Sequence, residues 1–139
     1  MGSQDQRNVT GVRLLLDTHA AIWWWAAPAL LGPAATEALT AARHPVFVSP
    51  VVALEIAIKF RIGKLGLFPD PAADFPRLMA ENRFEPLPIT DAHALAAGLL
   101  PGVHRDPFDR LIAAQALAEG MTVVTCDSAF SEFGCKVLW

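Results

Sequence analysis

The stretch Val12-Arg13-Leu14-Leu15-Leu16-Asp17-Thr18 decides the architecture. A parallel sheet is covered on both faces, so its strands need not alternate apolar with polar residues. An unbroken apolar run that stops at a carboxylate and a hydroxyl therefore reads as a buried parallel strand leading straight into a helix. Asp17 then stands at the carboxyl end of that strand. The helix that follows holds His19, Ala20, Ala21 and Ile22, then Trp23-Trp24-Trp25, before Pro28 closes it. Successive helical residues lie about 100° apart, so three adjacent indoles cannot all face one core. At least one is expected outward or against another chain, because large apolar patches are seldom left bare.

Working outward, strands and helices alternate. A helix is expected over Pro33 to Ala42, with Arg43 near its end, followed by the strand Val46-Phe47-Val48. Ser49-Pro50 supplies a cap and a first-position proline for a helix from Val51 to Ile62. Arg61, Gly63, Lys64 and Gly66 form a basic exit from it. Pro71 to Asn82 reads as an amphipathic helix, Phe84 to Ile89 as a short strand, and Thr90 as the cap of a helix through Leu100. Asp106-Pro107 repeats the cap-then-proline start, with Asp109 in the first turn and Gly120 as the stop. Thr122-Val123-Val124-Thr125 is a β-branched strand that ends at Cys126-Asp127-Ser128, and Lys136-Val137-Leu138 a last edge strand. The alternation predicts one α/β domain over residues 12–139, a mostly parallel sheet flanked by helices. Residues 1–11 are polar and aperiodic and are expected to form a flexible N-terminal segment.

The chain has 139 residues, enough for a single core without disulfides or a structural metal. Its formal charge of −3 excludes a general nucleic-acid coat, so any nucleic-acid contact must be local. The two cysteines, Cys126 and Cys135, fit no zinc spacing and no disulfide framework. Reduced thiols are expected, Cys126 as a small buried residue. The longest apolar run, Ala20 to Leu31, is interrupted by Pro28 and too short to span a bilayer. With no signal peptide at the start, a soluble cytoplasmic protein without membrane contact is expected.

The strand carboxyl ends of an open parallel sheet share one edge, and ligands bind there. Asp17 and Asp127 end strands, while Glu55 and Asp109 sit in early turns of helices that begin near that edge. Four acids distant in sequence are thus expected to converge. The blander reading gives Asp106 and Asp109 to helix capping, worth roughly 0.5–2 kcal/mol each. Likewise Glu55 and Lys59 make an i,i+4 pair worth about 0.2–0.5 kcal/mol, although the neighbours Val51, Val52, Leu54 and Ile56 favour a Glu held in the interior. Gathered carboxylates repel one another unless a cation or a shared proton neutralises them. Oxygen-only donors select hard cations, so Mg²⁺ or Mn²⁺ is the expected cofactor. Such a metal can orient a phosphodiester and activate water, which is nuclease chemistry. Arg105 and Arg110 suit paired hydrogen bonds to phosphate, and equally suit ion pairs that restrain the acids. The Thr18 hydroxyl is placed to hold Asp17 or a metal-bound water, or to cap the helix. His104 and His19 have comparable alternatives; His44 and His93 read as structural.

Leu-Leu-Leu-Asp17-Thr18-His19 with Ile22-Trp-Trp, Glu55-Ile-Ala-Ile-Lys59, Gly63-Lys64-Leu65, Leu87-Pro-Ile-Thr90, His104-Arg-Asp-Pro-Phe-Asp-Arg-Leu-Ile and Val-Thr-Cys-Asp127 together resemble the PIN-domain family. Within it the chain is similar to VapC-type ribonuclease toxins of type II toxin–antitoxin pairs. The resemblance covers Leu14 to Trp139. It implies a Rossmann-like α/β/α domain, Mg²⁺- or Mn²⁺-dependent cleavage of RNA, a homodimer and inhibition by a cognate antitoxin. It places the catalytic acids on Asp17, Glu55, Asp109 and Asp127, with the metal on Asp17, Asp109 and Asp127. Asp106 is an additional acid, and Asp109 is preferred because it directly precedes the Leu-Ile-Ala-Ala run. Thr18, Arg105 and Arg110 are the substrate contacts expected. Leu54 stands where relatives often have Trp, and Cys126 where a basic residue often precedes the last Asp. Other readings are a PIN-type nuclease of RNA processing without a toxin role, and a non-catalytic protein-binding domain. A dehalogenase-type phosphoryl-transfer site would need a second Asp two residues beyond Asp17, and His19 stands there.

Overall fold

The computed structural model describes residues 12–66 and 68–139, so the segment 1–11 lies outside the described residues. In chain order the elements are β1 (Leu14–Leu16), α1 (Thr18–Ala26), a 3-10 turn (Pro28–Leu30), α2 (Pro33–Ala41), β2 (Val46–Val48) and α3 (Pro50–Arg61). Then come α4 (Pro71–Glu81), β3 (Glu85–Pro86), α5 (Asp91–Leu99), α6 (Pro107–Glu119), β4 (Thr122–Val124), α7 (Ala129–Glu132) and β5 (Val137–Leu138).

The strands form one five-stranded sheet in the order β3-β2-β1-β4-β5, and every pair in it is parallel. β1 is central: Leu14 pairs with Val46 on one side and Thr122 on the other. Leu14, Leu15 and Leu16 are all buried, which is why three leucines in a row suit a strand covered on both faces. This is the α/β architecture expected, a parallel sheet flanked by helices. The third strand is shorter than Phe84 to Ile89 because Pro86 has no N–H for the ladder. Leu87 N still donates to Val48 O at 2.9 Å, just past it.

Helix starts follow the local sequence. Ser49 Oγ accepts from Val51 N, Thr90 and His93 form a reciprocal capping box, and Asp106 Oδ1 accepts from Phe108 N and Asp109 N. A proline opens α2, α3, α4 and α6, where a missing N–H costs nothing. Because each helix runs back against the strands, the N-termini of α1 and α3 lie at the edge where β1 and β2 end.

Two expectations about burial fail. None of the three consecutive tryptophans is left outward. Trp24 Nε1 donates to Asn82 Oδ1 at 3.0 Å, Trp25 packs among Phe68, Phe75 and Phe84, and Trp23 meets His19 and Trp139 in tilted ring contacts. Helix α1 is enclosed by neighbours on more than its sheet-facing side, so several helical faces find partners within the chain. Cys126, expected inside, is exposed. The turn after β4 buries Thr125 and Ala129 instead and leaves the intervening residues in solvent. Among the described residues no helix is long and apolar enough to cross a membrane.

Candidate active site

Strand β1 delivers Asp17 to the carboxyl edge of the sheet, where its side chain is only 5% exposed. Both carboxylate oxygens are engaged. Oδ1 accepts from Ala20 N at 2.8 Å, which caps α1, and Oδ2 accepts from the Thr125 hydroxyl at 2.5 Å. The parallel register explains the second bond, since Leu16 pairs with Val124 and the next residue on each strand is Asp17 and Thr125. The same Thr125 oxygen accepts from Asp127 N at 3.0 Å, and Asp127 Oδ1 accepts from Ala129 N at 2.9 Å. One buried hydroxyl thus ties the first and last acids of the cluster together.

Glu55 enters from α3. Its Oε1 accepts from the Thr18 hydroxyl, so Thr18 holds Glu55 and not Asp17, and the carboxylate is half-buried. The fourth acid, Asp109, comes from the first turn of α6, with its Oδ2 at 3.1 Å from His104 Nε2. His104, Asp106 and Asp109 bring one donor atom each within 4.8 Å of one another, the one such grouping found among the described residues. Asp17, Asp109 and Asp127 do not close to that distance by themselves. Asp106 is also engaged as the helix cap.

Arg110 corrects the expectation made for it. Its Nε donates to Ala97 O at 3.0 Å, Nη1 to His104 O at 2.9 Å and Nη2 to Leu100 O. The guanidinium is spent on carbonyls of the α5–α6 connection and lies over the Phe133 ring, and it forms no ion pair with the acids among the described residues. Arg105 is exposed beside the cluster and makes no hydrogen bond or ion pair among the described residues.

The acids sense one another. Burial raises the pKa of Asp17 above the ordinary range, and the charge of Asp127 adds to it, while Thr125 and Ala20 N oppose the shift. Burial likewise raises Glu55, with Asp106 and Asp109 adding repulsion against the Thr18 hydrogen bond. Asp109 is raised by burial first, then by Asp106 and Asp127, with His104 opposing. Asp17 thus senses Asp127, Asp127 acts on Asp109, and Asp109 acts on Glu55, so each sequence-predicted acid lies within charge reach of the next. No Lys or Arg forms an ion pair with any of them among the described residues. The donor set is carboxylate oxygen with spare lone pairs and one imidazole, which fits a hard divalent cation.

Sequence reading missed Thr125 as part of the site. The signal was a Thr at the end of β4 in register with Asp17, and register cannot be read before the strand pairing is known. Comparisons with known proteins agree with the fold. The profile of the PIN domain matches residues 14–135. The chain is 34% identical over 115 residues to Ribonuclease VapC22 of Mycobacterium tuberculosis, spanning 82% of this chain and 86% of that one. VapBC2 from Rickettsia felis, solved bound to a DNA fragment from its promoter, aligns with a TM-score of 0.67 at 18% identity over 91% of this chain and 97% of that one. FitAcB from Neisseria gonorrhoeae aligns at 0.63 and 21% identity over 89% and 95%. VapBC from Salmonella typhimurium, solved bound to DNA, aligns at 0.66 and 19% over 91% and 96%. At those identities the solved structures speak for the fold.

Proposed function

The chain belongs to the PIN-domain family, and from that premise we propose that it is a divalent-metal-dependent endoribonuclease, the toxin of a toxin–antitoxin pair. The observation that supports this reading best is the coupling of Asp17, Glu55, Asp109 and Asp127 with no Lys or Arg at ion-pair distance from any of them among the described residues, Lys59 acting on Glu55 only from farther off. Like charges so placed destabilise a fold unless they serve a cation. The relative named as a ribonuclease supports the substrate class, and the VapBC complexes support an antitoxin partner.

Asp17, Asp109 and Asp127 hold Mg²⁺ or Mn²⁺, with Asp106 beside Asp109. Bound there, the ion supplies Lewis acidity toward the phosphodiester and lowers the pKa of water. The chain's own groups do the rest. Ala20 N and the Thr125 hydroxyl fix both oxygens of Asp17, so its carboxylate does not reorganise when substrate arrives. Glu55, steadied by Thr18, orients the attacking water and takes its proton, a task that its raised pKa suits. Arg105 reaches flanking phosphate from the rim.

Exposed apolar side chains lie in two places suited to protein partners. Leu95, Leu99 and Val103, at 67%, 80% and 94% exposure, lie on α5 and the loop beyond it, and a second copy covers them in a homodimer. Leu54, Phe60 and Ile62, on α3 and at its end, are left for the antitoxin. The protein acts in the cytoplasm, where its RNA substrate is.

Incubating the purified protein with labelled RNA in Mg²⁺ and in EDTA tests the reading. Cleavage is expected only with metal, and Asp17→Asn is expected to reduce it to background while the fold persists. Equal cleavage by that variant, or cleavage in EDTA, overturns the proposal.

A further inference from the structure

At the opposite edge of the sheet, where the strands begin, the charge pattern reverses. Arg13 immediately precedes β1, Arg43-His44 precedes β2, Arg83 precedes β3 and Lys136 precedes β5. Arg13, Arg43, His44 and Arg83 line one cleft of about 620 Å³, whose walls include Phe47 and Phe84 and whose single acid is Glu85. In a chain of net charge −3 this concentration of guanidinium groups is not background composition.

The ordinary explanation is that cations complement the negative ends of helices. It accounts for Arg13, whose Nη2 donates to Glu119 O, the last residue of α6. Arg43 and Arg83 directly follow the ends of α2 and α4, so it applies to them too, yet their side chains make no hydrogen bond or ion pair among the described residues and leave their donors unspent. Arg83 also occupies a left-handed conformation, φ +56°, just past the end of α4, a position where glycine is the relaxed choice. His44 Nδ1 is buried without a hydrogen-bond partner among the described residues, so no protein group fixes the ring through that atom.

We propose that this cleft is a binding site for a nucleotide phosphate, separate from the acid cluster. Arg43 and Arg83 supply planar donors to the phosphate oxygens, and Arg13 is already pinned in place. Phe47 and Phe84, only partly buried, are among the residues that line the cleft and give a base or ribose apolar surface to pack on. The volume is that of a small-ligand pocket. The phosphate belongs either to a free nucleotide or to an RNA strand whose other end lies at the acid cluster; only the second alternative draws on the proposed ribonuclease activity.

The test titrates adenosine 5′-monophosphate into the full chain in EDTA and low salt, where the uncompensated carboxylates repel a phosphate. Trp24, hydrogen-bonded to Asn82 next to Arg83, gives a fluorescence readout alongside calorimetry. Saturable binding is expected. Arg43→Gln and Arg83→Gly should each weaken it about tenfold, the scale of one charge-assisted hydrogen bond. Arg83→Gly relieves the left-handed backbone, so its melting temperature should not fall, which separates lost binding from lost folding. A short 2′-O-methyl RNA that binds about tenfold tighter than the mononucleotide, and loses that margin in Arg83→Gly, identifies an RNA strand as the source. Equal or weaker binding identifies a free nucleotide. Absence of saturable binding, or affinity unchanged in both arginine variants, overturns the site, and neither outcome depends on RNA cleavage.

Discussion

The Thr125 hydroxyl donates to Asp17 Oδ2 at 2.5 Å across the β1–β4 ladder, and the same oxygen accepts from the backbone of Asp127. Two acids 110 positions apart are therefore set by one side chain that is 3% exposed. Thr125→Val keeps the shape and removes both bonds. It is expected to cost about 1–3 kcal/mol, since a buried carboxylate oxygen and an amide lose their partner, and to reduce RNA cleavage roughly 10–100-fold. Thr125→Ser should recover most of both. Denaturant melts and single-turnover cleavage check this; a Val variant with unchanged cleavage shows that Asp17 needs no such tether.

Two arginines five residues apart should behave oppositely. Arg110→Ala strips donors from the carbonyls of Ala97, Leu100 and His104 and is expected to destabilise the protein by about 2–4 kcal/mol. Arg105→Ala, at an exposed position, should leave the melting temperature within about a degree, as surface substitutions do. Its effect should appear as a raised KM for RNA. Thermal melts and steady-state kinetics on the pair separate scaffold from substrate contact.

The fold was legible wherever a residue's conformation follows from its immediate neighbours. Leu14-Leu15-Leu16 announced a strand covered on both faces, and Ser49-Pro50 and Asp106-Pro107 marked helix starts within a residue. The charge influence of Asp127 on Asp17 and Asp109, and of Asp109 on Glu55, follows from the same source, because topology alone sends strand ends and helix starts to one edge. What stayed hidden depends on which elements become neighbours. Thr125 needed the β1–β4 register. The fate of Arg110 needed the α5–α6 connection to curl its carbonyls around the guanidinium. The tryptophans needed the packing of α4 and the C-terminal strand around α1, and Cys126 needed the direction of a turn.

Gly32 is fixed by a contact that its own sequence does not show. A Cβ there would lie 2.3 Å from Trp139 O and 2.5 Å from the Trp139 ring, and Trp139 O is the acceptor for Ala35 N at 2.8 Å. Gly32→Ala must push the last strand off the start of α2. A loss of about 1–3 kcal/mol is expected, the usual cost of overpacking. Because the contact lies away from the acids, cleavage per folded molecule should be unaltered. Chemical denaturation with active-site titration checks both halves.

Stability should depend on pH in a direction set by the acid cluster. The folded-state pKa values of Asp17, Glu55 and Asp109 are all raised, chiefly by burial, from ordinary values of 3.8, 4.5 and 3.8. The folded protein therefore holds protons that the unfolded chain has already released. The stability from these groups is fully present below the ordinary values and is lost as pH rises through the raised ones. Without metal, the cluster makes the protein less stable at about pH 7.5 than at about pH 4, where the ordinary values lie. A bound divalent cation offsets this by stabilising the ionised form, by about 2.7 kcal/mol at 100 times its Kd. Mg²⁺ should then raise the melting temperature more at the higher pH. Asp17→Asn keeps a competent helix cap while removing one charge, so it should flatten the metal-free pH dependence and blunt the response to Mg²⁺. Thermal melts of both proteins at the two pH values, with EDTA or Mg²⁺, check it. A wild-type protein whose melting temperature ignores Mg²⁺ at both pH values shows that the carboxylates reach the same edge without serving an ion.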